Sequence, residues 1–263
     1  MNGGTEQIQK KPRRAVKTGA KVLIAVAAVL FCAALAVLLY VGDYYHADEL
    51  ALETLRHPAD GVTITESKNR IVFMPEHPEA GLIFYPGGKV QFESYAPLME
   101  RCAEQGLLCV LLHMPGNLAV LDMDAAEGIP EEFPEITQWY IGGHSLGGAM
   151  AAAYVKDHAD AYRGLILLAA YATDDLTDTG LEVLSLYGTE DGVLNLEKYA
   201  AGKARLPEGF AEIQIEGGCH AYFGSYGMQQ GDGIPTISNE DQIEQTADAI
   251  AAMAIFPTQE LAG

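Results

Sequence analysis

Ile141-Gly142-Gly143-His144-Ser145-Leu146-Gly147-Gly148 sets a serine between two glycines at the spacing Gly-x-Ser-x-Gly. That spacing suits a sharp strand-to-helix turn whose central serine sits at strained φ/ψ. A Cβ on either flanking glycine would there strike the neighbouring strand or helix. The flanks agree. Residues from Ile136 to Ile141 are β-branched and aromatic and predict a buried strand, while the alanine-rich run from Ala149 to Lys156 predicts a helix. A bare Gly-x-Ser-x-Gly occurs by accident in many chains. Strand, elbow and helix in succession make Ser145 a candidate nucleophile.

Outward from the elbow, short apolar runs alternate with amphipathic ones, the signature of an α/β fold. Strands are predicted at Val62 to Thr65, Arg70 to Met74, Gly81 to Tyr85, Leu107 to Leu112, Ile136 to Ile141, Gly164 to Ala169, Glu182 to Tyr187 and Ala211 to Ile215. Helices are predicted at Phe92 to Gln105, near Leu121 to Glu127, at Leu146 to Asp157, Leu196 to Ala204 and Glu240 to Ala254. Several of the strands are apolar throughout, as a sheet covered on both faces requires.

The amino terminus has a different character. Val22 to Val41 is uncharged and, at about 1.5 Å per residue, long enough to cross a hydrocarbon layer of about 30 Å. Lys10, Lys11, Arg13, Arg14, Lys17 and Lys21 precede it, and Asp43, Asp48 and Glu49 follow. The positive-inside bias then puts the amino terminus in the cytoplasm and the rest of the chain outside the cell membrane. A cleaved signal peptide is the competing reading, but its apolar region is shorter, about 7 to 15 residues. No small-x-small cleavage site follows the run, and Phe31 before Cys32 does not suit lipoprotein processing. The expected organisation is a basic cytoplasmic segment at 1–21 and a single transmembrane helix at 22–41. A linker at 42–60, helical through Arg56, a catalytic domain at 61–257 and a tail at 258–263 follow.

Six of the sixteen basic residues precede the apolar run but only one of the thirty-six acidic ones does, so the remainder is strongly acidic. That excludes nucleic acid as a partner. It would also repel an anionic leaflet, although solubility alone explains the charge equally well. Four cysteines, with no Cys-x-x-Cys pair, imply neither a disulfide framework nor a zinc site. No metal and no organic cofactor is expected.

Three segments carry a family likeness: Tyr85-Pro86-Gly87-Gly88-Lys89-Val90, Gly143-His144-Ser145-Leu146-Gly147 and Gly217-Gly218-Cys219-His220. Through them the chain resembles the α/β-hydrolase superfamily, most closely its dienelactone-hydrolase-like branch, α/β-hydrolase family 5, over about Val62 to Ile255. The resemblance implies an eight-stranded, mostly parallel sheet with helices on both faces. It also implies the chain order serine, acid, histidine. Only two histidines follow Ser145, and His158 lies at the far end of the helix that Ser145 opens, roughly 20 Å away. His220 is therefore the expected base. The resemblance puts the acid at Asp191, after the strand ending at Tyr187, with Asp174 and Asp175 after the preceding strand as alternatives. Glu190, adjacent, reads as a solvated turn residue.

A tetrahedral intermediate needs backbone N–H donors for its oxyanion. Leu146, opening the helix after the nucleophile, is one expected donor, favoured also by the helix dipole. Aligning Pro86-Gly87-Gly88 with the family's His-Gly-x segment points to Gly88 as the other. Pro86 stands where the family commonly has histidine, and Lys89 is the alternative donor.

The short stretch between Tyr171 and Glu182 leaves no room for a helical lid. The pocket is expected to be shaped by residues 113–118, 87–92 and 221–238, with His113, Met114, Tyr222, Phe223 and Tyr226 as candidate lining. Asp232 is expected to hold its own loop. The sequence thus predicts a membrane-anchored serine hydrolase that cleaves a small-molecule ester or related acyl compound through a Ser145-His220-Asp191 triad and an acyl-enzyme. An acyltransferase, lactonase or peptidase on the same triad is the alternative within enzymes. A non-catalytic binding module on the same fold is the alternative outside them, although the presence of all three residues weighs against it.

Overall fold

The computed structural model describes residues 13–256, with side chains from Gly19 onward. The first twelve residues of the expected basic segment, and the expected tail at 258–263, lie outside the described residues. The chain divides between Asp43 and Tyr44 into two compact units. The first contains α1 (Arg13–Gly42), of which Gly19–Gly42, whose most apolar 18-residue stretch has a mean hydropathy of 3.1, is long and apolar enough to cross a membrane.

The second unit holds α2 (Glu49–Arg56), β1 (Val62–Glu66), β2 (Arg70–Pro75), β3 (Ala80–Tyr85), α3 (Ala96–Glu104), β4 (Leu107–Leu112) and α4 (Ile129–Glu132). These are followed by β5 (Trp139–His144), α5 (Leu146–His158), β6 (Gly164–Leu168), β7 (Glu182–Gly188), α6 (Leu196–Lys203), β8 (Ala211–Ile215) and α7 (Asn239–Ala254). The eight strands form one sheet in the order β1-β2-β4-β3-β5-β6-β7-β8. β1 and β2, and β2 and β4, run antiparallel; every other neighbouring pair is parallel.

The two-residue period of a strand divides its side chains between two cores. Leu82, Phe84, Cys109 and Leu111 join Leu98, Met99 and Cys102 of α3 and Ile243 and Ile250 of α7 on one face. Ile83, Tyr85, Leu108 and Val110 join Ala151, Ala152 and Val155 of α5 on the other. A central strand with no solvent face has no use for polar residues, which is why these runs are apolar without alternation. Within the stretch 42–60, Asp48 caps α2 by accepting the Ala51 N–H at 3.2 Å, and Ala51 and Thr54 are buried. Tyr45 donates its N–H to the Lys89 carbonyl at 2.8 Å, so the stretch from Tyr44 onward is part of the second unit.

Two expected elements are displaced. The strand predicted at Ile136 to Ile141 instead runs Trp139–His144, and Ile136 closes a turn onto the Phe133 carbonyl at 3.0 Å. Gly142 and Gly143 read as the end of a strand but belong to it, because glycine in a strand also marks close backbone approach. The helix predicted near Leu121 to Glu127 is replaced by a 3-10 turn at Ala119–Leu121, further turns and the short α4. The Tyr85 hydroxyl donates to the Met123 carbonyl at 2.7 Å and accepts the Ala126 N–H at 3.2 Å, engaging backbone groups that a helix would need. The predicted helix Phe92 to Gln105 opens as a 3-10 turn, Phe92–Tyr95, and becomes α3 at Ala96.

Candidate active site

Ser145 sits between β5 and α5 at φ 52° and ψ −120°, a conformation that L residues rarely adopt. Its N–H donates to the Leu168 carbonyl at 2.9 Å and its carbonyl accepts the Ala149 N–H at 3.1 Å, so β6 and α5 hold the turn from both sides. A Cβ on Gly143 would lie 2.5 Å from the Tyr85 carbonyl oxygen, and one on Gly147 2.3 Å from both the Tyr85 and Pro86 carbonyl oxygens. The elbow therefore admits only glycine on either side of it. Among the described residues the non-glycine positions with positive φ are Lys89, Asn117, Ser145 and Ala169, and the Lys89 N–H donates to the Asn117 carbonyl. Strained backbone of this kind, costing about 1–3 kcal/mol per residue, persists where surrounding structure imposes it and collects at functional sites.

His220, expected as the base, and Asp191, expected as the acid, are brought together. His220 Nδ1 lies 2.8 Å from Asp191 Oδ2, and both side chains are almost wholly buried. A carboxylate can only accept, so Nδ1 carries the proton and Nε2 presents its lone pair. That Nε2 is buried and has no hydrogen-bond partner among the described residues. The other oxygen of Asp191 accepts the N–H groups of Val193 at 2.8 Å and Leu194 at 2.7 Å, fixing the carboxylate in one orientation. Asp174 and Asp175 lie elsewhere: Asp175 accepts the Thr177 N–H and hydroxyl, and Asp174 stands 3.5 Å from the Lys156 ammonium. His158 stacks on Tyr154 and hydrogen-bonds its carbonyl. Cys219, beside His220, is no rival nucleophile, since burial pushes its thiol up to about 12.

In the loop after β3, the Gly87 N–H donates to the Tyr95 hydroxyl at 3.0 Å and the Lys89 N–H to Asn117 at 2.7 Å. The Gly88 N–H has no acceptor among the described residues, and a Cβ on Gly88 would lie 2.8 Å from Leu146 Cδ2. Gly88 and Leu146 are thus neighbours, and the alternative donor Lys89 is already engaged.

Ser145, Leu146 and Ala149 share a cavity of about 260 Å³ with residues 169–171 after β6, residues 193–195 after β7, and His220. The expected lining residues are elsewhere. His113 is exposed and stacks on Phe92, Phe223 packs against His144, and Tyr226 lies against Tyr45. Met114 is buried in the core on the α5 face, and Tyr222 packs against the opposite one. The wall comes instead from the ends of β6 and β7, because these parallel strands end beside Ser145 and their loops have nowhere else to go.

The alpha/beta hydrolase family profile matches residues 81–244, a span that takes in the elbow, Asp191 and His220. The chain belongs to the alpha/beta hydrolase family. Similar solved structures include a predicted CIB-like hydrolase from Thermoplasma acidophilum, at 16% identity and TM-score 0.53 over 73% of this chain and 99% of that one. Est1E from Butyrivibrio proteoclasticus matches at 15% identity and TM-score 0.52 over 73% and 98%. The esterase domain of a Rhodothermus marinus protein matches at 13% and 0.54 over 73% and 97%. At these identities the likeness is one of fold. No curated protein sequence matches the chain.

Two features of this hydrolase-family site are hidden in the sequence. Asp232 Oδ1 accepts the N–H groups of His220 and Gly192, each at 3.1 Å, and Oδ2 accepts that of Ala221 at 2.8 Å. It therefore ties the loop carrying His220 to the loop carrying Asp191, and also holds its own turn through the Gly233 N–H. The second feature is His144, whose Nδ1 lies 2.7 Å from the Tyr95 hydroxyl that accepts Gly87. Burial, and then His220 with its ring centroid 4.5 Å away, hold the His144 pKa well below the usual histidine value, so it stays neutral. Burial also raises the Tyr95 phenol, which keeps its proton to donate to His144. Nothing in the spacing of Tyr95, His144 and Asp232 announces these contacts, which exist only once β3, β5 and the last loop converge.

Proposed function

We propose that the chain is a membrane-anchored serine hydrolase that cleaves a small-molecule ester or related acyl compound. The observation that carries this reading is the Asp191-His220 pair at 2.8 Å, with the buried Nε2 of His220 unpartnered among the described residues and His220 lining the same cavity as Ser145 on its strained elbow. Nε2 takes the Ser145 proton as Oγ attacks the acyl carbon, and Asp191 stabilises the imidazolium. The N–H groups of Leu146 and Gly88 receive the oxyanion. Collapse expels the alcohol, protonated by His220, and leaves an acyl-enzyme that water hydrolyses by the same route. The Ser145-His220 hydrogen bond is left to form with substrate, as catalytic contacts commonly do.

Treating the full-length protein with a fluorophosphonate should attach one label, on the peptide containing Ser145. A label elsewhere, or none on folded protein, refutes the serine assignment. Location rests on the apolar helix Gly19–Gly42 and the basic residues before it. Protease added to intact cells should reach the catalytic unit, and protection there until lysis would reverse the proposed orientation.

A further inference from the structure

We infer that the cavity beside Ser145 takes a short, uncharged, aliphatic arm of the ester. This deepens the serine-hydrolase reading and rests on it. The cavity is small: about 260 Å³ against roughly 300–1,000 Å³ for sites that enclose drug-sized ligands. Taking roughly 30 Å³ for each water-sized group, it holds about nine such groups, and the ester unit itself uses about three or four. The remaining space suits an arm of about five or six carbons.

The walls decide the chemistry. Leu146, Ala149, Ala169, Ala170, Val193 and Leu194 supply aliphatic surface, Tyr171 adds an aromatic ring with a hydroxyl, and no lysine or arginine lines the space. Asn195 reaches it, but its Oδ1 is committed to the Lys198 N–H at 2.9 Å, where it caps α6. A carboxylate-bearing arm would be buried without a counter-charge, which is costly. It would also approach against the field of a unit whose acidic residues far outnumber its basic ones. The wall formed by Ala169 and Ala170 cannot recede. Ala169 is held at φ 45°, and Ala170 Cβ is so close to Gly148 that even a methyl there would come within 2.6 Å of it.

The arm that enters could be the acyl chain or the alcohol, and two ester series distinguish them. With full-length protein in detergent, p-nitrophenyl esters from acetate to dodecanoate vary the acyl side, and n-alkyl acetates of the same lengths vary the alcohol. In one series kcat/KM should rise about fourfold per methylene, the equivalent of about 0.8 kcal/mol for each buried CH₂. The rise should stop at about five or six carbons, with no further gain beyond. A p-nitrophenyl hemisuccinate should fall at least roughly a hundredfold below the butyrate, because an unpaired buried charge has no compensating partner. Ala149→Leu, which places a larger side chain in the cavity, should move the break to shorter chains. It should lower the pentanoate-to-acetate ratio at least about tenfold, a ratio that does not depend on how much of the variant is folded. No break in either series, or a hemisuccinate cleaved as fast as the butyrate, overturns the inference. Failure to cleave any of these esters while a fluorophosphonate still labels Ser145 overturns the substrate class alone. Absence of that label overturns the serine reading beneath it.

Discussion

Ser145→Ala should lower kcat for a p-nitrophenyl ester by about 10⁶-fold, the scale on which removal of a serine nucleophile acts in a triad. Stability should hardly change. The Ser145 hydroxyl has no hydrogen bond among the described residues, so alanine removes no contact from the fold. The backbone at φ 52° and ψ −120° is strained equally for alanine, since both residues carry a Cβ. The elbow is held by the Ser145 N–H on Leu168 and by the glycines at 143 and 147, all of which the variant keeps. Steady-state kinetics beside a thermal melt separates the two quantities. Activity within about a hundredfold of the parent, far above the residual rate that the oxyanion hole and binding alone supply, would show that some other group does the chemistry.

Legibility followed the range of each interaction. Strands that lie inside the sheet carry their position in their own composition. Leu107 to Leu112 is accordingly readable to the residue, and the mostly exposed edge strand Ala211 to Ile215 is read to the residue as well. Ser145 and its glycines were legible because one local shape fixes three of five positions with two residue types. Boundaries failed where a distant group decided them. Gly142 and Gly143 look like a strand end until β3 and β6 are placed beside them, and the residues around Met123 look helical until the Tyr85 hydroxyl takes their backbone. The cavity wall failed for the same reason. Ala169, Ala170 and Leu194 are unremarkable in sequence and line the site only because β6 and β7 end next to the elbow. Asp232 was legible as a loop-holding residue and no more, because its other donors, the N–H groups of His220 and Gly192, come from two separate loops.

Asp191→Asn should cost about 10⁴-fold in kcat with the fold intact, the scale of an asparagine placed behind a triad histidine. The reason lies in which oxygen does what. One carboxylate oxygen accepts the N–H groups of Val193 and Leu194, and an asparagine carbonyl can replace it there without loss. Those two donors then select the rotamer and turn the new amide NH₂ toward His220, where the second oxygen had accepted from Nδ1 at 2.8 Å. A donor now faces a donor. His220 resolves the clash by moving its proton to Nε2, the atom that must accept from Ser145, and the base is lost while the loop stays in place. Asp191→Ala would strip the two N–H groups of their acceptor as well, so part of its effect would be loss of the loop. Asp174→Asn and Asp175→Asn should stay within about threefold of the parent. Asp174 pairs with Lys156 and Asp175 with Thr177, with no line of contact to His220. A loss of about 10⁴-fold in either of those variants, with Asp191→Asn active, would move the acid to the loop after β6. The Asp191-His220 hydrogen bond would then be structural.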